Sequence, residues 1–292
     1  MRLVVALALL GCNVLRQGDA NVWRLAAGSL SSTAIRAHVQ YLTDDLLEGR
    51  RAGSRGEALA ARYIFAQLEI DGFAVQRQRA VLPVVQIQNA LLRATRGNVT
   101  VELKPGVDFA VLSAPRTQHV AAAPAKIVPW SPEAAARANA GLVKVAEGAP
   151  LEVAVAPAAL PQLEQATVRV QIDLDLAELS ATDVVGQWKG REDCKIWLMT
   201  HHDSFGPGYP GGNDAASQVA VDLEVARGLA MARTPPRCTV MIVSKGGEEW
   251  SGTAHTLAPL QHTPRDRIAR DWDWEALKKK AQDALVQAGE GH

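Results

Sequence analysis

The sequence predicts an α/β fold: a mostly parallel central sheet flanked by helices, with a smaller β-rich insertion. Three observations predict it. Apolar strand-length runs alternate with a Gly/Pro loop and a long helical stretch between residues 196 and 244. Helical spacing of apolar residues recurs before residue 70 and again after residue 274. From about Val81 to Val170 the texture changes to short β-type runs separated by Gly, Pro and Ala.

The N-terminus reads as an export signal over residues 1–20. Met1-Arg2 is a minimal basic region, and Leu3 to Gly11 is an apolar core too short to span a bilayer. Gly18-Asp19-Ala20 fits a small-x-small cleavage site. Leu9-Leu10-Gly11-Cys12 is close to a lipobox, the alternative, which would leave a lipid anchor on Cys12. The expected location is periplasmic or extracellular, with no transmembrane segment.

Ser31-Ser32 then reads as an N-cap, followed by helical spacing through Ile35, Val39 and Leu42. Leu46 to Arg50 breaks into a polar turn with Gly53 and Gly56 behind it. Glu57 to Leu68 is an amphipathic helix, with Leu59, Tyr63, Ala66 and Ile70 at near-helical intervals, and Asp71-Gly72 ends it. Gln86–Leu92, Val99–Leu103 and Val168–Leu174 read as short strands, and Pro132–Ala140 as a helix running through Gly141 into Leu142–Val145. The expected organisation is therefore a main domain over 21–85 and 181–292, interrupted by an insertion over 86–180.

The regular pattern resumes at Val184-Val185-Gly186. A buried strand, Ile196–Thr200, delivers His201, and the loop Phe205–Gly212 leads to Asp214. A helix over Ala216–Ala230 precedes a second apolar strand, Thr239–Ser244, which delivers Glu248-Glu249. A last helix is expected over Trp274–Gln287. In such α/β sheets, sites form at the carboxyl ends of the strands.

Bulk properties narrow the function. The 292 residues are 48% hydrophobic and 21% charged, enough for one large domain or two small ones. Lys+Arg and Asp+Glu are both 31, so no basic excess points to nucleic acid. Of three cysteines, Cys194 and Cys238 each lie near the start of a candidate strand. They could pair if those strands are neighbours; two buried free thiols are the alternative.

The chemistry concentrates in the second half. A divalent cation needs oxygen and imidazole donors on rigid elements. His201-His202-Asp203, Gly211-Gly212-Asn213-Asp214 and Gly246-Gly247-Glu248-Glu249 supply them in order, with Gln261-His262 behind. Strand alternation puts His201 and Asp203 on one face and His202 on the other, although spacing alone leaves the doubled histidine ambiguous. Asp203 could orient a ligand histidine through its second N–H. Asp214, taken alone, reads equally well as a helix N-cap. Of the paired glutamates, one could bind a metal while its neighbour takes a proton from water.

These residues resemble the co-catalytic zinc exopeptidases of the aminopeptidase and glutamate carboxypeptidase type, with a protease-associated insertion. The resemblance rests on Tyr41 to Arg50 with Ala52-Gly53-Ser54-Arg55-Gly56, then Val184-Val185-Gly186, His201-x-Asp203, Gly211-x-x-Asp214, Gly247-Glu248-Glu249 and His262-Thr263-Pro264-x-Asp266. It implies that His201 binds one zinc, Asp203 orients that site from behind, Asp214 bridges two metals and Glu249 completes the His201 zinc. Glu248 would be the general base and His262 a ligand of a second zinc. The family places a further strand, ending in an Asp, between the glutamate pair and the last histidine. Here Glu249 and His262 lie only 13 positions apart, and Ser251 to Leu260 holds no carboxylate. One zinc is therefore expected, with two as the alternative.

The implied function is an exported zinc peptidase acting on the N-terminal residues of peptides, impaired if the second metal is lost. The rival is a non-catalytic relative that binds a peptide or partner. A third reading is a one-zinc acyltransferase resembling glutaminyl cyclases, through Asp214, Glu249 and His262.

Overall fold

The computed structural model describes residues 21–115, 119–131, 134, 142–145, 150–250 and 273–290. The expected export signal, the Pro132–Ala140 helix (apart from Ala134) and His262 lie outside the described residues.

Helix α1 (Ser32–Leu42) buries Ile35, His38, Val39 and Leu42, one stripe at helical spacing, and Ser31 caps it by accepting the Ala34 N–H at 3.2 Å. A short turn of 3-10 helix (Asp45–Arg50) follows, and then helix α2 (Arg55–Ile70), capped by Ser54. Two long strands dominate what comes next. β1 (Ala74–Arg96) and β8 (Thr167–Trp188) pair antiparallel over almost their whole length. The runs expected over Gln86–Leu92 and Val168–Leu174 are segments of these strands, and both boundaries of the expected insertion fall within them.

Between them lie β2 (Val99–Leu103), β3 (Phe109–Ala114), β4 (His119–Ala123), β5 (Lys126–Pro129), β6 (Leu142–Val145) and β7 (Glu152–Val155). After β8 come β9 (Lys195–His201), helix α3 (Ser217–Ala232), β10 (Thr239–Lys245) and helix α4 (Trp274–Glu290).

Among the described residues the strands form one sheet, in the order β5-β7-β3-β6-β1-β8-β10-β9, with β2 on β1 and β4 on β8. The α/β class stands, but the pairing is mixed rather than mostly parallel. Parallel neighbours are β9 with β10, β3 with β6 and β5 with β7; the other pairs are antiparallel. The reason is connectivity. Parallel pairing needs a long crossover, which α3 supplies between β9 and β10. The β1–β8 ribbon runs out and returns, so its strands oppose.

Apolar packing follows the same ribbon. One core gathers Trp23, Ile35, Leu42, Ile64, Leu68, Leu223 and Ile242 under the helices. A second gathers Leu92, Phe109, Val153, Val170 and Ile172 at the far end. Each fully buried side chain of this size contributes about 1.5–3 kcal/mol relative to exposure. At the amino ends of β9 and β10, Cys194 and Cys238 form a disulfide, so the neighbour condition for their pairing is met. No helix among the described residues is long and apolar enough to cross a membrane.

Candidate metal centre

Parallel pairing of β9 with β10 brings their carboxyl ends side by side, with His201 opposite Lys245. The chain after β10 therefore passes directly beside the imidazole. Asp214 arrives from a third direction, through the loop that precedes α3.

That loop depends on Gly211. Its φ is +56°, and a Cβ there would lie 2.5 Å from the Asp214 carbonyl oxygen and 2.9 Å from the Ser204 hydroxyl. Only glycine takes this conformation in this space without strain. Gly246 is needed for closeness alone: a Cβ would lie 2.6 Å from Glu57 Oε1.

His201, Asp214 and Glu249 each direct one donor atom to a common point, all within 4.8 Å of one another. His201 Nε2 lies 3.1 Å from Asp214 Oδ1 and 3.8 Å from Glu248 Oε2. His201 Nδ1 lies 3.3 Å from Asp203 Oδ1. Asp203 is fully buried, and its two oxygens also accept the backbone N–H of Glu248 at 3.1 Å and of Glu249 at 3.2 Å. One carboxylate thus sets both the ring and the turn that carries the glutamates.

Electrostatics point the same way. Burial would lower the His201 imidazole, but hydrogen bonds to Asp203 and Asp214 and the charges of Asp203 and Glu249 outweigh it. They hold it well above its ordinary value. The site draws positive charge. Two carboxylates and one imidazole, convergent and with His201 and Glu249 buried, fit a zinc ion, which takes three protein ligands when catalytic.

His202, which spacing left open as a ligand, faces the other way. Its Nδ1 is 2.9 Å from Ser244 Oγ and its Nε2 is 3.3 Å from Glu57 Oε1. Glu57 Oε1 also accepts the Thr182 N–H at 3.0 Å. This buried chain ties α2, β8, β9 and β10 together behind the centre. Reading the sequence missed Glu57 and Arg50. Ser54-x-x-Glu57 looks like a capping box, whose glutamate would fold back on its own helix. Arg50 is fully buried, with Nε donating to the His202 carbonyl at 2.6 Å. No local signal marks either role.

Beside the centre, Ala52, Ala181, Phe205, Tyr209 and Trp250 form a small apolar cluster, with Phe205 edge-on to Trp250. His262, expected to hold a second zinc, lies outside the described residues.

Residues 183–292 match the profile of peptidase family M28. The matched segment carries β9, α3, β10 and α4, and with them His201, Asp203, Asp214, Glu248 and Glu249. The fold of the wider chain is that of solved aminopeptidases. An aminopeptidase from Aneurinibacillus sp. strain AM-1 superposes with a TM-score of 0.56 at 15% identity, over 91% of this chain and 95% of that one. A zinc aminopeptidase from Bacillus subtilis gives 0.58 at 14% identity, over 90% of this chain and 95% of that one. The match over residues 183–292 and the shared fold agree with the co-catalytic zinc exopeptidase resemblance expected from the sequence.

Proposed function

We propose that the protein is an exported zinc-dependent peptidase that removes N-terminal residues from peptides. One observation carries this reading: His201, Asp214 and Glu249 converge within 4.8 Å, and Glu248 Oε2 stands 3.8 Å from the same imidazole. The match of residues 183–292 to the profile of a peptidase family supports it.

His201, Asp214 and Glu249 would hold the zinc, with Asp203 fixing the imidazole from behind. Zinc held there supplies Lewis acidity that polarises the scissile carbonyl and acidifies water. Glu248 accepts the proton of the attacking water and returns it to the leaving nitrogen, so the two half-reactions share one carboxylate. The backbone N–H bonds that Asp203 accepts keep Glu248 and Glu249 in register, one for the proton and one for the metal. His262 is proposed as a ligand for a second zinc. The β-rich region around residues 86–180 is proposed to act as a protease-associated insertion that shapes access. Its outer strands extend from the ribbon that passes the centre at Leu82 and Ala181.

The test is a zinc titration of hydrolysis, using aminoacyl and N-blocked substrates and the Glu248→Ala variant. Turnover of the free-amine substrate that rises with zinc and disappears in the variant supports the proposal. Equal rates in both proteins, or less than about half an equivalent of bound zinc where one three-ligand site is expected, would leave a binding module instead.

A further inference from the structure

The guanidinium of Arg50 stands where three chain segments meet, two of which lead to the centre. It donates to the carbonyls of Leu42 at the end of α1, of His202 at 2.6 Å, of Pro210 at 2.6 Å and of Gly211 at 3.1 Å. His202 is the residue after His201, and Gly211 lies three before Asp214. The tie is reciprocal, because the Ser204 N–H donates to the Arg50 carbonyl at 3.2 Å. Arg51 also bridges to Ser204, and Ser204 Oγ closes the loop on the Tyr209 carbonyl at 2.9 Å. Gly49, at φ +66°, lets the turn approach so closely that a Cβ would collide with the Gly206 carbonyl.

We propose that Arg50 is a positioning residue of the metal centre, setting the distance between the backbone that carries His201 and the backbone that carries Asp214. This rests on the zinc reading above. The physical reason is the shape of the group. A guanidinium is a rigid plane with donors pointing in several directions, so it can hold carbonyls from three segments at fixed angles. An ammonium is a point charge with three donors on one atom and cannot span the same set. A metal site binds tightly only when its donors are already in place, so loosening the fork lets the His201 and Asp214 donors drift apart.

The test measures zinc affinity of the full chain by competition with a chromogenic chelator, together with the visible spectrum of the cobalt(II)-loaded protein. Arg50→Lys is the main variant, because it keeps the buried charge, and Arg50→Met is the more severe one. Arg227→Met is the control, since its guanidinium bonds Glu224 and Ser29 and none of the site residues. Arg50→Lys is expected to bind zinc about 10- to 100-fold more weakly and to shift the cobalt spectrum, whereas the control destabilises the fold without either change. Wild-type affinity and spectrum in Arg50→Lys overturn the proposal, as does an equal loss in the control. If Arg50→Met does not fold, the Lys variant still decides. A wild-type chain that binds no zinc overturns the metal reading and this inference together; a wild type that binds zinc beside unimpaired Arg50 variants overturns this one alone.

Discussion

Asp203 holds the backbone of Glu249: its Oδ2 accepts that residue's N–H at 3.2 Å. Its other oxygen accepts the Glu248 N–H and faces the His201 ring. Asp203→Asn keeps the shape but replaces one acceptor with a donor that confronts a backbone N–H. Zinc affinity should fall about 10- to 100-fold, measured by chelator competition. A larger fall in overall stability than in affinity would assign Asp203 to the fold instead.

Glu248 is the proposed proton carrier and His201, Asp214 and Glu249 the metal donors. Glu248→Gln should therefore lower kcat by about 10²- to 10⁴-fold while leaving one zinc bound. Steady-state kinetics with metal analysis on the same preparation checks both halves. Loss of zinc along with activity would move Glu248 into the ligand set.

Gly211→Ala places a Cβ 2.5 Å from the Asp214 carbonyl oxygen, in a residue at φ +56°. The loop must shift, and Asp214 shifts with it. Stability should drop by more than about 1 kcal/mol, the scale for alanine at a positive-φ glycine, and zinc binding should weaken. Chemical denaturation with and without zinc separates the two effects.

Asp222 gives stability a pH dependence. Burial raises its carboxyl to about 7. Lys280 of α4 lines a cavity together with Asp222. The folded state thus holds a proton that the unfolded chain releases above 3.8, the ordinary value. The unfolded state binds fewer protons in that window, so stability falls as pH rises from about 4 to about 7 and stays low above it. Asp222→Asn removes that slope and should raise the Tm at pH 8 by at least about 2–4 °C. Thermal melts across this range read it directly; a wild-type slope in the variant would refute it.

The Cys194–Cys238 disulfide closes a 44-residue separation across the amino ends of β9 and β10. Reducing it, or making Cys194→Ser with Cys238→Ser, should cost about 2–4 kcal/mol by releasing chain entropy in the unfolded state. Urea denaturation with and without reductant measures this.

Much of the structure is legible in the sequence. Ile35, Val39 and Leu42 announced α1 by spacing, and the apolar run before His201 announced β9, because such periodicities are local. The same locality explains the misreadings. Gln86–Leu92 looked like a short strand because a β-bulge at Ile87/Asn89 and the polar faces of β1 hide a single strand 23 residues long. The sheet was expected to be mostly parallel because β9, α3 and β10 follow that pattern, while pairing between β1 and β8 depends on partners 72 to 113 positions away.

The site divides in the same way. Residue types and their order were enough to nominate His201, Asp203, Asp214, Glu248 and Glu249, since each sits where a predicted strand or loop ends. Which of two adjacent histidines turns inward to the carboxylates was decided by the packing of His202 against Ser244 and Glu57. That Arg50 would be buried beneath the centre, and that Glu57 would leave its capping position for a histidine 145 residues away, follows from three-dimensional contact alone. Local patterns report the backbone's nearest neighbours. A buried charge finds its partners only after the chain has closed around it.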